Sequence, residues 1–216
     1  MYLRESGSRI CLLLLQKRTA HAVLTLFGLC LVFAFRLWLT ADQKIVARYL
    51  PHDDLFFVEL ARSLSLGEWL GEYRNITLSK VPGYPIWIAL SRSIGVPVLL
   101  SQQFVFLLGA FVVALLLLAN GFSNWAVFPA LLLLIISPEM FGNEALRLSR
   151  VVFYGGLTLL LSALQLALLP LFRLRFFLPL LVVLAFIMSF YSVVREEFLW
   201  ILPSYVLFAG LYWARN

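Results

Sequence analysis

Unbroken apolar runs limit what this chain can fold into more than any other feature. Residues 98–119 carry no charged side chain. Residues 22–39, 125–137, 151–171, 176–192 and 198–213 are of the same Leu-, Val- and Phe-rich kind, with Arg36 the one charged side chain among them. A helix needs about 20 mostly apolar residues to cross the hydrocarbon of a bilayer. The runs therefore predict an all-α, polytopic membrane protein with about six transmembrane helices. Of the 216 residues, 62% are hydrophobic and 13% charged, against about a quarter charged in a soluble domain. A transmembrane barrel would instead show alternating segments of about 10 residues.

Residues 1–21 form a basic N-terminus with Arg4, Arg9, Lys17 and Arg18, interrupted by an apolar island at 10–15 that suggests an interfacial turn. Residues 22–39 outline a signal peptide, but Leu39 stands where a small residue would be needed for cleavage. An uncleaved anchor is the expectation, with Arg36 snorkelling to the far interface. The remainder, 22–216, forms one transmembrane domain whose first outer loop spans 40–97. In that loop 53–66 reads as an amphipathic helix: Phe57, Leu60, Ala61 and Leu64 recur at helical spacing, Glu59, Arg62 and Ser63 lie opposite, and Gly67 ends it. Residues 84–93 are apolar but too short to span, bounded by Pro85 and by Gly95-Val96-Pro97, as in a helix lying at the interface.

Cations before the first span place the N-terminus in the cytoplasm. That topology leaves Lys44, Arg48, Arg62, Arg74, Lys80, Arg92, Arg147, Arg150 and Arg195 outside, against the positive-inside rule. Either the orientation is inverted, or an anionic partner holds these residues outside; the N-terminal cluster favours the second. With net charge +6 but no basic and aromatic stripe in a soluble module, nucleic acid is excluded as a partner. Membrane lipids and phosphate-bearing lipids fit better. The two cysteines, Cys11 and Cys30, offer neither a disulfide framework nor metal spacing.

Three polar stretches arrive at the same face. In the first, Asp53-Asp54 opens the amphipathic helix. Asp53 can cap that helix and Asp54 can favour its dipole; equally, either can serve as a general base or metal-binding carboxylate. Lys80-Val81-Pro82-Gly83-Tyr84-Pro85 is a rigid turn that would fix Lys80 and Tyr84 near the interface. In the second stretch Arg147 and Arg150 are candidate phosphate contacts, or simple headgroup contacts. In the third, Arg195-Glu196-Glu197 sits almost without a loop between two spans, where charges are costly unless paired. Arg195 and Glu196 are either a helix-stitching pair or a wall of a substrate cavity. Gly155-Gly156 suggests close helix packing.

The order of these features resembles the GT-C superfamily of membrane glycosyltransferases, of the protein O-mannosyltransferase and aminoarabinose-transferase types. Residues 51–85, with Asp53, Asp54, Lys80, Pro82 and Tyr84, carry the likeness, and residues 195–203 are a weaker echo. The resemblance implies transfer of a sugar from a polyprenyl-phosphate donor to a glycan, lipid or protein acceptor, with inversion, at the outer face of the membrane. It implies a first-loop carboxylate, Asp53 or Asp54, acting as base or holding a divalent cation such as Mg or Mn. Cations would stabilise the departing lipid phosphate, with Lys80, Arg147 and Arg150 the candidates. Family members are usually much longer, with more spans and often a soluble C-terminal domain, so the likeness covers what corresponds to an N-terminal half.

Two other readings compete. A non-catalytic membrane scaffold would keep the layout without turnover. A lipid transporter or flippase usually shows interrupted helices in repeated halves, and only one interrupted segment, 84–97, is present. A bacterial inner membrane is the expected location. Topology is directly measurable in a background with Cys11 and Cys30 replaced by serine. A cysteine at Ser79 should react with a membrane-impermeant thiol reagent from outside, and one at Ser123 only after lysis. Cytoplasmic Ser79 would overturn the outer-face assignment.

Overall fold

The computed structural model describes residues 2–43, 52–69, 71–72, 82–137, 148, 150–171 and 177–195, with 203, 204, 206, 207 and 210 beyond them. Among the described residues the protein is all-helical, with seven helices and no strands: α1 (Tyr2–Ala41), α2 (His52–Ser65), α3 (Gly83–Ser93), α4 (Val98–Ala119), α5 (Asn124–Ile136), α6 (Arg150–Leu171) and α7 (Phe177–Val194). The turn expected at 10–15 is absent: α1 runs unbroken from Tyr2. Residues 2–22 contain no proline and one glycine, and extending an existing helix costs far less than starting one. The apolar run at 198–213 lies largely outside the described residues.

Glycine stops three helices in the same way. After α2, Glu68 N–H donates to Ser63 O and Gly67 N–H to Leu64 O. Val96 and Gly95 repeat the pattern after α3, and Phe122 and Gly121 after α4. Each is a Schellman cap, which satisfies carbonyls of the last turn. Each requires a left-handed residue, and Gly67, Gly95 and Gly121 have φ of 81°, 74° and 88°.

Helix α4 is the centre of the fold. It packs parallel to α6 at very close range. A Cβ on Gly156 would lie 2.6 Å from Phe106 N, and one on Gly109 would lie 2.8 Å from Leu159 Cβ and 2.9 Å from Gly156 O. One side of this seam packs on α1 and α5 through Leu29, Phe106, Leu107, Val127, Leu131 and Val152. The other side packs on α2, α3 and α7 through Phe57, Tyr84, Phe153, Leu157, Leu184 and Tyr191.

The ends of these helices meet in a consistent pattern. Arg36, near the end of α1, donates from Nε to Gln103 Oε1 (2.6 Å) and from Nη1 to the Ile135 carbonyl (2.5 Å). Its guanidinium also lies 4.4 Å from the centroid of the Phe106 ring. One end of the bundle therefore collects the C-termini of α1, α5 and α7 and the N-termini of α4 and α6, with α2 and α3 lying across it. The snorkelling expected of Arg36 does not occur: the side chain is 2% exposed. Ile135 belongs to the last turn of α5, where a carbonyl has no partner within its own helix and the dipole favours a cation. That acceptor, together with Gln103, turns the side chain inward.

Among the described residues, two helical segments are long and apolar enough to cross a membrane, Val23–Ala41 and Val98–Ala119. Only 22% and 39% of their most apolar windows are buried, so both present much apolar surface outward. Large apolar side chains stand outward along the bundle, among them Trp38, Trp125, Leu133, Val182 and Phe186. Helix α5 has 13 residues, a rise of about 20 Å, which is less than the roughly 30 Å of a hydrocarbon core. Pro129 inside it removes one backbone donor.

The α4–α6 seam yields a sharp expectation. In Gly156→Ala the new methyl meets backbone atoms that cannot rotate away, so it should destabilise the fold by about 1–3 kcal/mol, read as a lowered unfolding midpoint in detergent. An unchanged midpoint would show that the two helices are not held this close.

Candidate functional site

The stripe that buries α2 runs through Asp54, Phe57 and Ala61, one helical face by spacing. Asp54 is therefore carried inward with the apolar residues, 4% exposed, while its neighbour Asp53 remains exposed. Asp54 does not cap α2. Its Oδ2 accepts the backbone N–H of Leu148 (3.2 Å), just ahead of α6. Its Oδ1 lies 3.4 Å from Arg150 Nε. That separation is an ion pair but too long for a good hydrogen bond, and Oδ1 makes no hydrogen bond among the described residues.

Arg150 begins α6, where the helix dipole disfavours a cation. Asp54 compensates, the guanidinium carbon lies 5.0 Å from the centroid of the Phe57 ring, and its charge acts on the Tyr154 phenol one turn on. The Tyr154 ring faces the Arg195 guanidinium at 5.0 Å. Arg195 directly follows α7, its N–H still bonded to Tyr191 O (2.9 Å). Two cations and a carboxylate from three distant parts of the chain thus share one aromatic-lined corner.

Tyr84 forms the floor of this corner. It is fully buried, packed edge-on to Phe57 at 5.4 Å and to Tyr154 at 6.3 Å, and its hydroxyl accepts a hydrogen bond from Gln102 Nε2. Gln102 Oε1 is buried without a hydrogen bond among the described residues. Gly83 lets the start of α3 abut the end of α7, since a Cβ there would be 2.5 Å from Val193 O. Burial pushes the Tyr84 phenol well above its ordinary value, and the charges of Tyr154 and Asp54 add to the effect against opposing contributions from Arg150 and Gln102.

Of the sequence-derived site residues, the structure brings together Asp54, Tyr84, Arg150 and Arg195. Asp53 stands apart on the exposed side of α2. Lys80, Arg147 and Glu196 lie outside the described residues. Tyr84 has no surface with which to touch a ligand in this conformation; it supports the residues above it. Gln102 and Tyr154 were not singled out from the sequence. Polar side chains within apolar runs were their only signal. A divalent cation does not fit the described residues: Asp54 faces an N–H donor and a guanidinium, Asp53 points elsewhere, and no group of three or more His, Cys, Asp and Glu side chains converges among them.

The burial of Tyr84 has a pH signature. Its phenol is held protonated in the fold but ionises near 10 once exposed. The associated stability is complete below pH 10 and falls as pH rises beyond it. Absorbance titration of the folded protein should give the same tyrosinate signal for wild type and Tyr84→Phe up to about pH 11. A smaller signal in the variant would show that Tyr84 is open to solvent. No protein-family model, curated protein or solved structure matches the chain.

Proposed function

We propose that this is a polytopic membrane protein with about six spans, and that the Asp54–Arg150 corner is a sugar-transfer site of the GT-C kind working on a lipid-phosphate donor. The supporting observation is the meeting of Asp54, Arg150 and Arg195 at one end of the bundle, beside an amphipathic helix pair. A carboxylate next to two cations is the minimal equipment for inverting transfer. Asp54 takes the proton of the acceptor hydroxyl. The acceptor oxygen forms a bond to the anomeric carbon as the bond from that carbon to the phosphate oxygen breaks. The lipid phosphate leaves with the electron pair, and Arg150 and Arg195 stabilise its charge. Lys80 and Arg147 would add further cations from neighbouring loops. The outer face of a bacterial inner membrane suits a donor of this type.

A second reading has its own observation. At 4% exposure, Asp54 is placed as a strut between α2 and α6, which suits a non-catalytic scaffold. The two readings part on Asp54→Asn, which keeps an acceptor for Leu148 N–H and removes the base. In membranes supplied with a radiolabelled polyprenyl-phosphate hexose, the transferase reading expects transfer to fall by 10²–10⁴-fold with membrane level and helix content unchanged. Undiminished transfer in Asp54→Asn sinks the transferase reading and leaves the scaffold.

A further inference from the structure

Helices α2 and α3 lie side by side and point the same way. Phe57 meets Tyr84 near their starts, and Arg62 and Ser65 share hollows with Ala89 and Arg92 near their ends. Two adjoining hollows of about 710 Å³ and 450 Å³ open between them, and both guanidinium-bearing residues line both. Each arginine sits in the last turn of its helix, where it complements the dipole. That accounts for either one singly. It does not account for two exposed arginines turned onto the same hollow with no acid among its described lining residues.

We propose that this groove is a docking site for an anionic phospholipid, its phosphate between Arg62 and Arg92 and its first acyl carbons along Leu64, Leu66, Ile86 and Leu90. Charge complementarity calls for an anion: two cations facing one hollow repel each other until something negative lies between them. Guanidinium forks match phosphate oxygens two at a time. The walls argue for lipid over free phosphate, since Leu66 and Leu90 are 68% and 50% exposed, apolar surface that an acyl chain would cover. Depth agrees as well. Val98, where a membrane-length apolar helix begins, follows Arg92 across a short non-helical link, which puts the groove where headgroups would meet hydrocarbon. Arg62 and Arg92 have no ion pair or hydrogen bond from their side chains among the described residues. The site is separate from the Asp54 corner, about 12 Å along α2. It rests on the membrane reading above and not on the transfer chemistry.

Native mass spectrometry of the full chain, delipidated in detergent, tests this. Phosphatidylglycerol and phosphatidylcholine are titrated separately, and inorganic phosphate is then added as competitor. The expected result is retention of phosphatidylglycerol over phosphatidylcholine, with a loss on the order of tenfold in the double variant Arg62→Gln/Arg92→Gln and partial retention in Arg62→Lys/Arg92→Lys. Circular dichroism checks that the fold is intact. Should the double variant lose its helix signal, the single glutamine variants, both at exposed side chains, carry the comparison. Equal retention by wild type and glutamine variants, equal affinity for the two lipids, or displacement by inorganic phosphate at matched concentration each overturns the proposal. None of these outcomes touches sugar transfer, which Asp54→Asn reads.

Discussion

The approach of α4 to α6 at Gly109 and Gly156 is the constraint on which the rest of the structure depends. Small residues at a helix–helix contact let two backbones approach closely enough for van der Waals contact between them. Here Gly156 lies directly against the backbone of Phe106, and Gly109 against Leu159 Cβ and the Gly156 carbonyl. Everything else packs on one side or the other of this seam. Gln102 and Gln103 show the division. Consecutive residues on a helix point about 100° apart, so Gln103 holds Arg36 on the α1–α5 side while Gln102 holds Tyr84 on the α2–α3 side. One polar pair early in α4 thereby tethers both halves.

Across that end, Asp54 joins the amphipathic layer to the bundle. A buried ion pair is weak evidence of stability, because desolvation offsets most of the attraction, yet losing one partner is costly. Asp54 also receives a backbone N–H, and Arg150 also contacts Phe57 and Tyr154, so the pair is embedded rather than isolated. The corner therefore sets orientation more than it adds free energy.

Local rules carried much of the fold. The stops at Gly67 and Gly95 were legible because only glycine takes that backbone geometry cheaply, and the apolar stripe of α2 followed from its period. Gly156 was legible as a packing residue, but its counterpart Gly109 was not, because nothing local reveals which helix a lone glycine will meet. The choice between Asp53 and Asp54 was available in principle: extending the 57–61 stripe backward by one turn lands on Asp54. What no local rule supplies is the partner. Leu148 is 94 residues from Asp54, and Arg150 lies beside it. Arg36 was misjudged for the same reason, since a snorkelling end and an inward clamp have the same neighbours in sequence and differ only in what the other helices bring.

That clamp has a consequence for how the chain assembles. Arg36 is separated from Gln103 by 67 residues and from Ile135 by 99. During synthesis the first apolar helix must wait with a charged side chain until α4 and then α5 have been made. Until then the guanidinium lacks both of the acceptors that hold it in the finished structure. The clamp can close only when α1, α4 and α5 are all in place, so it ties the first helix of the bundle to two made later.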